Sequence, residues 1–190
     1  MFKLKNRKIV RMVGISLMMA IVVVLQLMGS FVKVGPVSFS LTLIPIVVGA
    51  AMYGPVAGAI LGATFAVVVL LDPNTAFFYG ISFFGTVVTV LVKGAAAGCL
   101  AGIVFRALEK KHQVLGVALA AAVCPLVNTG LFLVGCRLFF WEALGEQGGG
   151  GNTLLFVITG MIGVNFIAEF FANVICAPII LRIVHAAKRQ

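Results

Sequence analysis

Six apolar runs, separated by short polar or charged connections, extend over most of the sequence. About 20 consecutive apolar residues suffice for a helix to cross a bilayer, and the longer runs reach that length. The pattern predicts helices at about residues 9–28, 41–53, 56–71, 83–105, 114–140 and 154–181. We therefore expect one domain, residues 1–190, that is an all-α integral membrane protein built as a six-transmembrane-helix bundle.

Glycine and proline residues mark the connections between several of these helices. Gly54 and Pro55 stand between the second and third runs, where they predict a sharp break with an uncharged turn. Residues 72–74, Asp-Pro-Asn, predict the start of a loop, and the aromatic residues that follow are typical of a membrane interface. Residues 141–151 end in four glycines and predict a flexible loop before the last helix.

The last apolar run contains three polar side chains at helical spacing. Asn165, Glu169 and Asn173 follow one another at intervals of four residues, which places them on one face of a helix. A carboxylate inside a membrane helix is costly unless it faces a cavity or a partner. Glu169 is therefore a candidate functional residue, and the rest of the chain is expected to supply its partner.

Composition and charge agree with a membrane protein. The chain is 62% apolar and 10% charged, whereas soluble domains are roughly 45–50% apolar. The net charge of +9 comes from residues at the ends of the apolar runs, and no basic face interleaved with aromatic residues predicts nucleic-acid binding. Basic residues cluster at the N-terminus, in the connection between helices 4 and 5, and at the C-terminus, which places both termini in the cytoplasm.

Helical rise then predicts the depth of the polar residues. Lys93 lies 13 residues before Arg106, and this distance puts it roughly 20 Å above the cytoplasmic boundary. The same count places Asn128, Asn165 and Glu169 at roughly 20–25 Å, in the outer half of the bilayer. We consider two interpretations of this layer. It is either a pocket that binds a small polar solute, or an ion pair between Lys93 and Glu169 with amide hydrogen bonds that hold the bundle together.

The residue inventory argues against an enzyme. His112 and His185 stand at predicted cytoplasmic ends, far from any serine at membrane depth, and Glu169 is the only carboxylate expected in the membrane interior. The four cysteines lack metal-binding spacing, so we expect packing roles for them, no metal site and no cofactor. The alternative function is a stand-alone or dimeric secondary transporter of a small organic acid.

Several motifs resemble those of a known family, the substrate-binding S components of energy-coupling factor (ECF) vitamin transporters. The resemblance extends from Ser16 and Ala20 in helix 1, through residues 43–50 (LIPIVVGA) and 53–62 (YGPVAGAILG), to the Asn128-Thr129 pair in helix 5. The sequence is most similar to the pantothenate-like subgroup. It differs from that subgroup at Lys93, where an arginine is expected, and at Leu43, where a polar residue is expected.

The resemblance implies a subunit that captures a small water-soluble vitamin outside a prokaryotic cell. Pantothenate is favoured, with folate and riboflavin as other candidates. The implied partners are the ECF coupling transmembrane subunit and two ATPase subunits, besides membrane lipid. The chain itself has no G-x-x-x-x-G-K-[ST] nucleotide motif.

Two sets of residues carry this predicted function. Ser16 and Ala20 form a small-xxx-small pair on helix 1, which permits close approach either to another helix of this chain or to the coupling subunit. The predicted substrate-binding residues are polar or aromatic: Lys93, Asn128, Asn165, Glu169, Asn173, Thr42 and Tyr79.

Overall fold

The chain folds almost entirely into helices. The computed structural model describes residues 2–31, 33–34, 37–38, 41–147 and 152–188, with side chains for 8–29, 41–147, 152–159, 163 and 166–186. The helices are α1 (Phe2–Phe31), α2 (Leu43–Tyr53), α3 (Pro55–Leu70), α4 (Ala76–Ile81), α5 (Phe83–Leu108), α6 (Gln113–Gly135), α7 (Trp141–Gln147), α8 (Thr153–Phe156), α9 (Gly163–Ile175) and α10 (Ala177–Lys188). The all-α prediction is confirmed, apart from one two-residue strand pair, β1 (Lys33–Val34) and β2 (Val37–Ser38), which is antiparallel.

Three of the described helical segments are long and apolar enough to cross a membrane, namely Lys8–Gly29, Phe83–Leu108 and Gln113–Gln147. Two bent pairs also qualify when each counts as one span: α3 with Pro73–Ile81, bent by 76°, and Phe166–Ile175 with Ala177–Ala186, bent by 45°. The chain is thus a multi-pass membrane protein with three to five spans by length and composition. Helix α2 is apolar but short, so a count of six spans stays a prediction.

The distribution of side chains is that of a protein surrounded by lipid. Large apolar residues cover the outside, including Val10, Val56 and Ile175, which are between 67% and 70% exposed. Polar residues lie inside, among them Asn128 and Glu169. Because an unpaired polar group is costly in hydrocarbon, the bundle interior is the favourable place for these side chains.

The predicted break between the second and third runs lies at Gly54. This residue has a φ of 94°, a conformation that glycine adopts without strain, and its N–H donates to the Ala50 carbonyl to close α2. Pro55 follows at the first position of α3, where its missing N–H is not needed. Arg11 of α1 donates from Nη2 to the carbonyl oxygen of Tyr53 at 2.8 Å. This contact satisfies one of the last carbonyls of α2 and ties α1 to the turn.

Helices α3 and α5 contact each other backbone to backbone through glycines. A Cβ atom at Gly58 would overlap the Gly98 carbonyl oxygen, and one at Gly98 would overlap the Gly58 carbonyl oxygen. Gly62 and Gly94 are related in the same reciprocal way, one turn along each helix. Small residues at matched spacing allow this close approach in membrane helices. The contact fixes the rotation of α5 and so the direction in which the neighbouring Lys93 points.

Two predicted loops are helical, which corrects the sequence analysis. Residues 73–75 form a 3₁₀ turn that leads into α4, because the Asp72 side chain accepts from the Asn74 N–H and caps the turn. Residues 136–140 form a π-helical segment that joins α6 to α7, so helix extends to Gln147. The predicted flexible loop was therefore wrong for residues 141–147, while its four glycines, 148–151, lie outside the described residues.

The last predicted helix, residues 154–181, is interrupted. It contains a π-helical segment, Val157–Ile162, and it breaks at Cys176 before α10 continues to Lys188. Pro178 explains this second break, because it has no N–H to donate and its ring crowds the preceding turn. The prediction of one regular helix over residues 154–181 was therefore wrong, although Glu169 and Asn173 both lie in α9.

Candidate functional site

A cavity of about 290 Å³ lies inside the bundle. Its wall is built by α1, α3, the α3–α4 connection, α4, α5, α6, the π-helical segment after α6, and α9. The polar lining residues are Gln26, Asp72, Asn74, Thr75, Thr86, Thr89, Lys93, Asn128, Thr129 and Glu169. The aromatic ones are Phe65, Phe78, Phe132, Phe140 and Phe166. A mostly aromatic and aliphatic wall with a few convergent polar groups is the usual form of a small-molecule site.

Lys93 contributes a cation to this cavity. It is half-buried on α5, and its Nζ atom lies 4.8 Å from the centroid of the Phe132 ring. The negative face of the ring attracts the ammonium without neutralising it. Glu169 of α9 lines the same cavity, is 7% exposed, and interacts with Lys93 electrostatically. Among the described residues, the cavity lining therefore includes one cation, Lys93, and two carboxylates, Asp72 and Glu169.

Asn128 adds an amide from α6. It is 7% exposed, and its Oδ1 atom has no hydrogen-bond partner within the described residues. The neighbouring Thr129 also lines the cavity. The cavity thus brings together Lys93, Asn128 and Glu169, three of the side chains that the sequence places in one layer, while the side chain of Asn165 lies outside the described residues.

Three other predicted binding residues do not line the cavity. The Thr42 hydroxyl donates to Oε1 of Gln26 at 3.0 Å, so Thr42 contacts a lining residue but does not line the cavity itself. Asn173 is fully buried, and its Nδ2 donates to the backbone oxygen of Glu169 at 2.9 Å. The Tyr79 hydroxyl donates to the Leu70 carbonyl at 2.9 Å and holds α4 against the end of α3. These contacts place all three beside the cavity wall.

Comparison with known proteins assigns the family. The family model described as "ECF transporter, substrate-specific component" matches residues 10–181. The chain belongs to this family. The searches of curated proteins and of solved structures gave no significant match.

Family membership gives the chain its general role. This ECF substrate-specific component is a substrate-binding subunit of an ECF importer, and not an enzyme. The family implies a small-molecule substrate and partnership with ECF membrane and ATPase subunits. The cavity with Lys93, Asn128 and Glu169 is the candidate substrate site within this component.

The small residues of α1 lie on two different faces of the ECF component. Ser16 and Ala20 are both exposed, beside the exposed side chains of Leu17 and Ile21. Gly14, in contrast, faces the bundle, where an added Cβ atom would overlap the Tyr53 hydroxyl. Gly14 therefore packs against the bundle, whereas the Ser16–Ala20 face is exposed in the described structure.

The structure adds lining residues that the sequence analysis missed. Gln26 is the clearest case, because it is a lone amide in the apolar run of α1, and the argument applied to Asn165 would have identified it. Thr86 and Thr89 gave no such signal, since threonines are common in membrane helices and usually bond to their own backbone. The turn-forming residue types of Asp72 and Asn74 predict a loop and give no indication of a place in the cavity wall.

Proposed function

We propose that this ECF component captures pantothenate, a small vitamin that carries one carboxylate, one amide and hydroxyl groups. The observation that carries the proposal is the Lys93 ammonium in a cavity lined by side-chain amides and hydroxyls. A buried cation favours a ligand with a carboxylate, and the amides and hydroxyls match its other polar groups. The Phe132 ring supports Lys93 and leaves its charge available to the ligand.

The size of the cavity supports the smallest of the three candidate vitamins. Ligand pockets measure about 300–1,000 Å³, and this cavity of about 290 Å³ is at the lower limit. Pantothenate is a short open chain, whereas riboflavin and folate carry fused ring systems that need more room. The presence of Glu169 in the wall further disfavours folate, which bears two carboxylates.

The proposed orientation places both termini in the cytoplasm and the cavity in the outer half of a prokaryotic cell membrane. The basic residues near Arg106 and at the C-terminus support this orientation through the positive-inside rule. Substrate would then enter from outside. The coupling transmembrane subunit and two ATPase subunits would drive its release inward, since the chain has no nucleotide motif of its own.

Reconstitution in liposomes tests the proposal. Labelled pantothenate should bind to the component alone, but it should accumulate only when the coupling module and internal or external ATP are supplied. Unlabelled pantothenate should compete, and riboflavin and folate should not. Accumulation by the component alone in a proton or sodium gradient would instead identify a secondary transporter of a small organic acid.

A further inference from the structure

Two buried oxygen atoms in the cavity wall have no hydrogen-bond partner within the described residues. They are Oγ1 of Thr89 on α5 and Oδ1 of Asn128 on α6. The two side chains are 6% and 7% exposed, and both line the cavity. A buried polar atom without a partner is unfavourable, so a ligand in the cavity is a candidate partner for these atoms.

The hydroxyl of Thr89 differs from those of three other helical threonines in its hydrogen bonding. The hydroxyls of Thr64, Thr86 and Thr159 each donate to the carbonyl four residues earlier, at 2.9, 2.7 and 2.7 Å. This is the usual way in which a helical threonine satisfies its hydroxyl inside a membrane. Thr89 makes no such bond, although the Gly85 carbonyl lies four residues before it.

Gly135 explains how Thr89 is held. A Cβ atom at Gly135 would overlap both Cγ2 and Oγ1 of Thr89, so the backbone at the end of α6 packs directly on this side chain. The π-helical segment Cys136–Phe140 begins at the next residue and brings Phe140 into the cavity wall. Single π-helical turns inside longer helices often occur at functional sites.

The chemistry of these two oxygens defines what the ligand must supply. Asn128 Oδ1 can only accept a hydrogen bond, whereas the Thr89 hydroxyl can donate or accept. We propose that Thr89 and Asn128 form a second polar contact point of the substrate site, which receives a hydroxyl or amide N–H of the ligand. The inference rests on the proposed function, in which Lys93 takes the ligand carboxylate.

The spacing along α5 sets the shape of such a ligand. Thr89 and Lys93 are one helical turn apart, which corresponds to about 6 Å along the helix axis. A ligand that reaches both residues carries a hydrogen-bonding group and a carboxylate separated by a short chain. A simple monocarboxylate without a donor group would leave Asn128 Oδ1 unpaired and should bind weakly.

Three variants test the inference with labelled pantothenate as the probe. Thr89→Val removes the hydroxyl and keeps the shape, and it should lower pantothenate affinity about tenfold. Thr89→Ser keeps the hydroxyl and should bind within about twofold of the wild type. Thr64→Val is the matched control: Thr64 lies on α3 outside the cavity lining, and its hydroxyl is bonded to the Ile60 carbonyl, so affinity should change little.

Ligand-free thermal stability is the second readout. Thr89→Val should melt at or slightly above the wild-type temperature, because it removes an unsatisfied buried hydroxyl. Equal pantothenate affinity in Thr89→Val and Thr64→Val, with normal binding by the wild type, would overturn the inference and leave the proposed function intact. If the wild type does not bind pantothenate, the proposed function and the inference that rests on it both fail. Loss of stability in ligand-free Thr89→Val would overturn the inference, because it would show that the hydroxyl has a structural partner. Unchanged or raised stability would support the inference.

Discussion

The ammonium of Lys93 lies 4.8 Å from the centre of the Phe132 ring, so helices α5 and α6 meet through a cation and an aromatic face inside the cavity. A cation–π contact of this kind contributes about 0.5–2 kcal/mol, less than a fully formed buried ion pair, and it leaves the charge uncompensated. Glu169 shares the cavity and attracts Lys93. Whether Lys93 serves the ligand or the bundle therefore depends on which negative group it pairs with when substrate is bound.

The first prediction separates these two roles of Lys93. If it binds a substrate carboxylate, Lys93→Met should weaken binding by about 2–5 kcal/mol, the cost of removing one partner of a buried charge pair. Ligand-free thermal stability should then change little. Isothermal titration and thermal melting of the purified variant measure both quantities. Lys110→Met, which removes an exposed lysine from the α5–α6 connection, is the matched control.

The opposite outcome for Lys93 has a distinct pattern. If Lys93 mainly neutralises Glu169, Lys93→Met leaves a buried carboxylate without its cation and should lower ligand-free stability strongly. Glu169→Gln in the same chain should then restore part of that stability. Such a rescue with intact substrate affinity would show that the polar layer holds the bundle together and that substrate binds elsewhere.

The second prediction concerns the exposed face of α1. Ala20→Trp should abolish co-purification with the coupling transmembrane subunit, because a bulky side chain prevents close approach beside Ser16. Substrate affinity should stay near the wild-type value, since neither residue lines the cavity. Leu119→Trp, at a 41% exposed position on α6, controls for an added tryptophan on the lipid-facing surface. A normal complex with Ala20→Trp would exclude this face as the docking surface.

The third prediction concerns the glycine contact of α3 and α5. Gly94→Ala introduces a Cβ atom that meets the Gly62 backbone, and overpacking of this kind costs about 1–3 kcal/mol. Gly130→Ala is the control, because no atom lies within 4 Å of a Cβ at this position in α6. The melting temperature should fall for Gly94→Ala and should be unchanged or slightly raised for Gly130→Ala. Equal melting temperatures would mean that the helices separate easily at Gly94.

The fourth prediction tests how Thr42 acts. The sequence predicts Thr42 as a binding residue, and the structure shows its hydroxyl bonded to the Gln26 amide, which lines the cavity. If Thr42 acts by orienting Gln26, then Thr42→Val should lower affinity in the wild-type background and have no further effect in a Gln26→Ala background. Additive losses in this double-mutant cycle, measured by substrate titration, would point to a direct contact of Thr42 with the ligand.

The grouping of the polar residues could be predicted from the sequence because helical rise is constant. Counting from the charged helix ends placed Lys93, Asn128 and Glu169 at one level, and the same three side chains line the cavity. Rotation around each helix axis could not be predicted in this way. It is set by packing, as the glycine contact with Gly62 shows for α5.

The residues that surround the cavity illustrate this limit. Asn173 is on the same helical face as Glu169, yet it is one turn closer to the break at Cys176, and it lies outside the lining. Thr89 lines the cavity because Gly135 packs against it, a contact between residues 46 positions apart that no local pattern reveals. Helix α4 was missed because Asp72 and Pro73 are equally common in loops and at helix starts.

The glycine contact between α3 and α5 also determines which parts of the cavity can move. Because paired glycines recur every four residues, a shift of α5 along α3 by less than one turn would press Cβ atoms against backbone, so the two helices form one rigid wall. Lys93 and Thr89 lie on this rigid wall. Gln26 and Glu169 lie on α1 and α9, which have no glycine contact of this kind with α3 or α5 in the described structure. Entry and exit of the substrate would then depend on displacement of α1 or α9, while the groups on α5 keep their mutual spacing throughout the transport cycle.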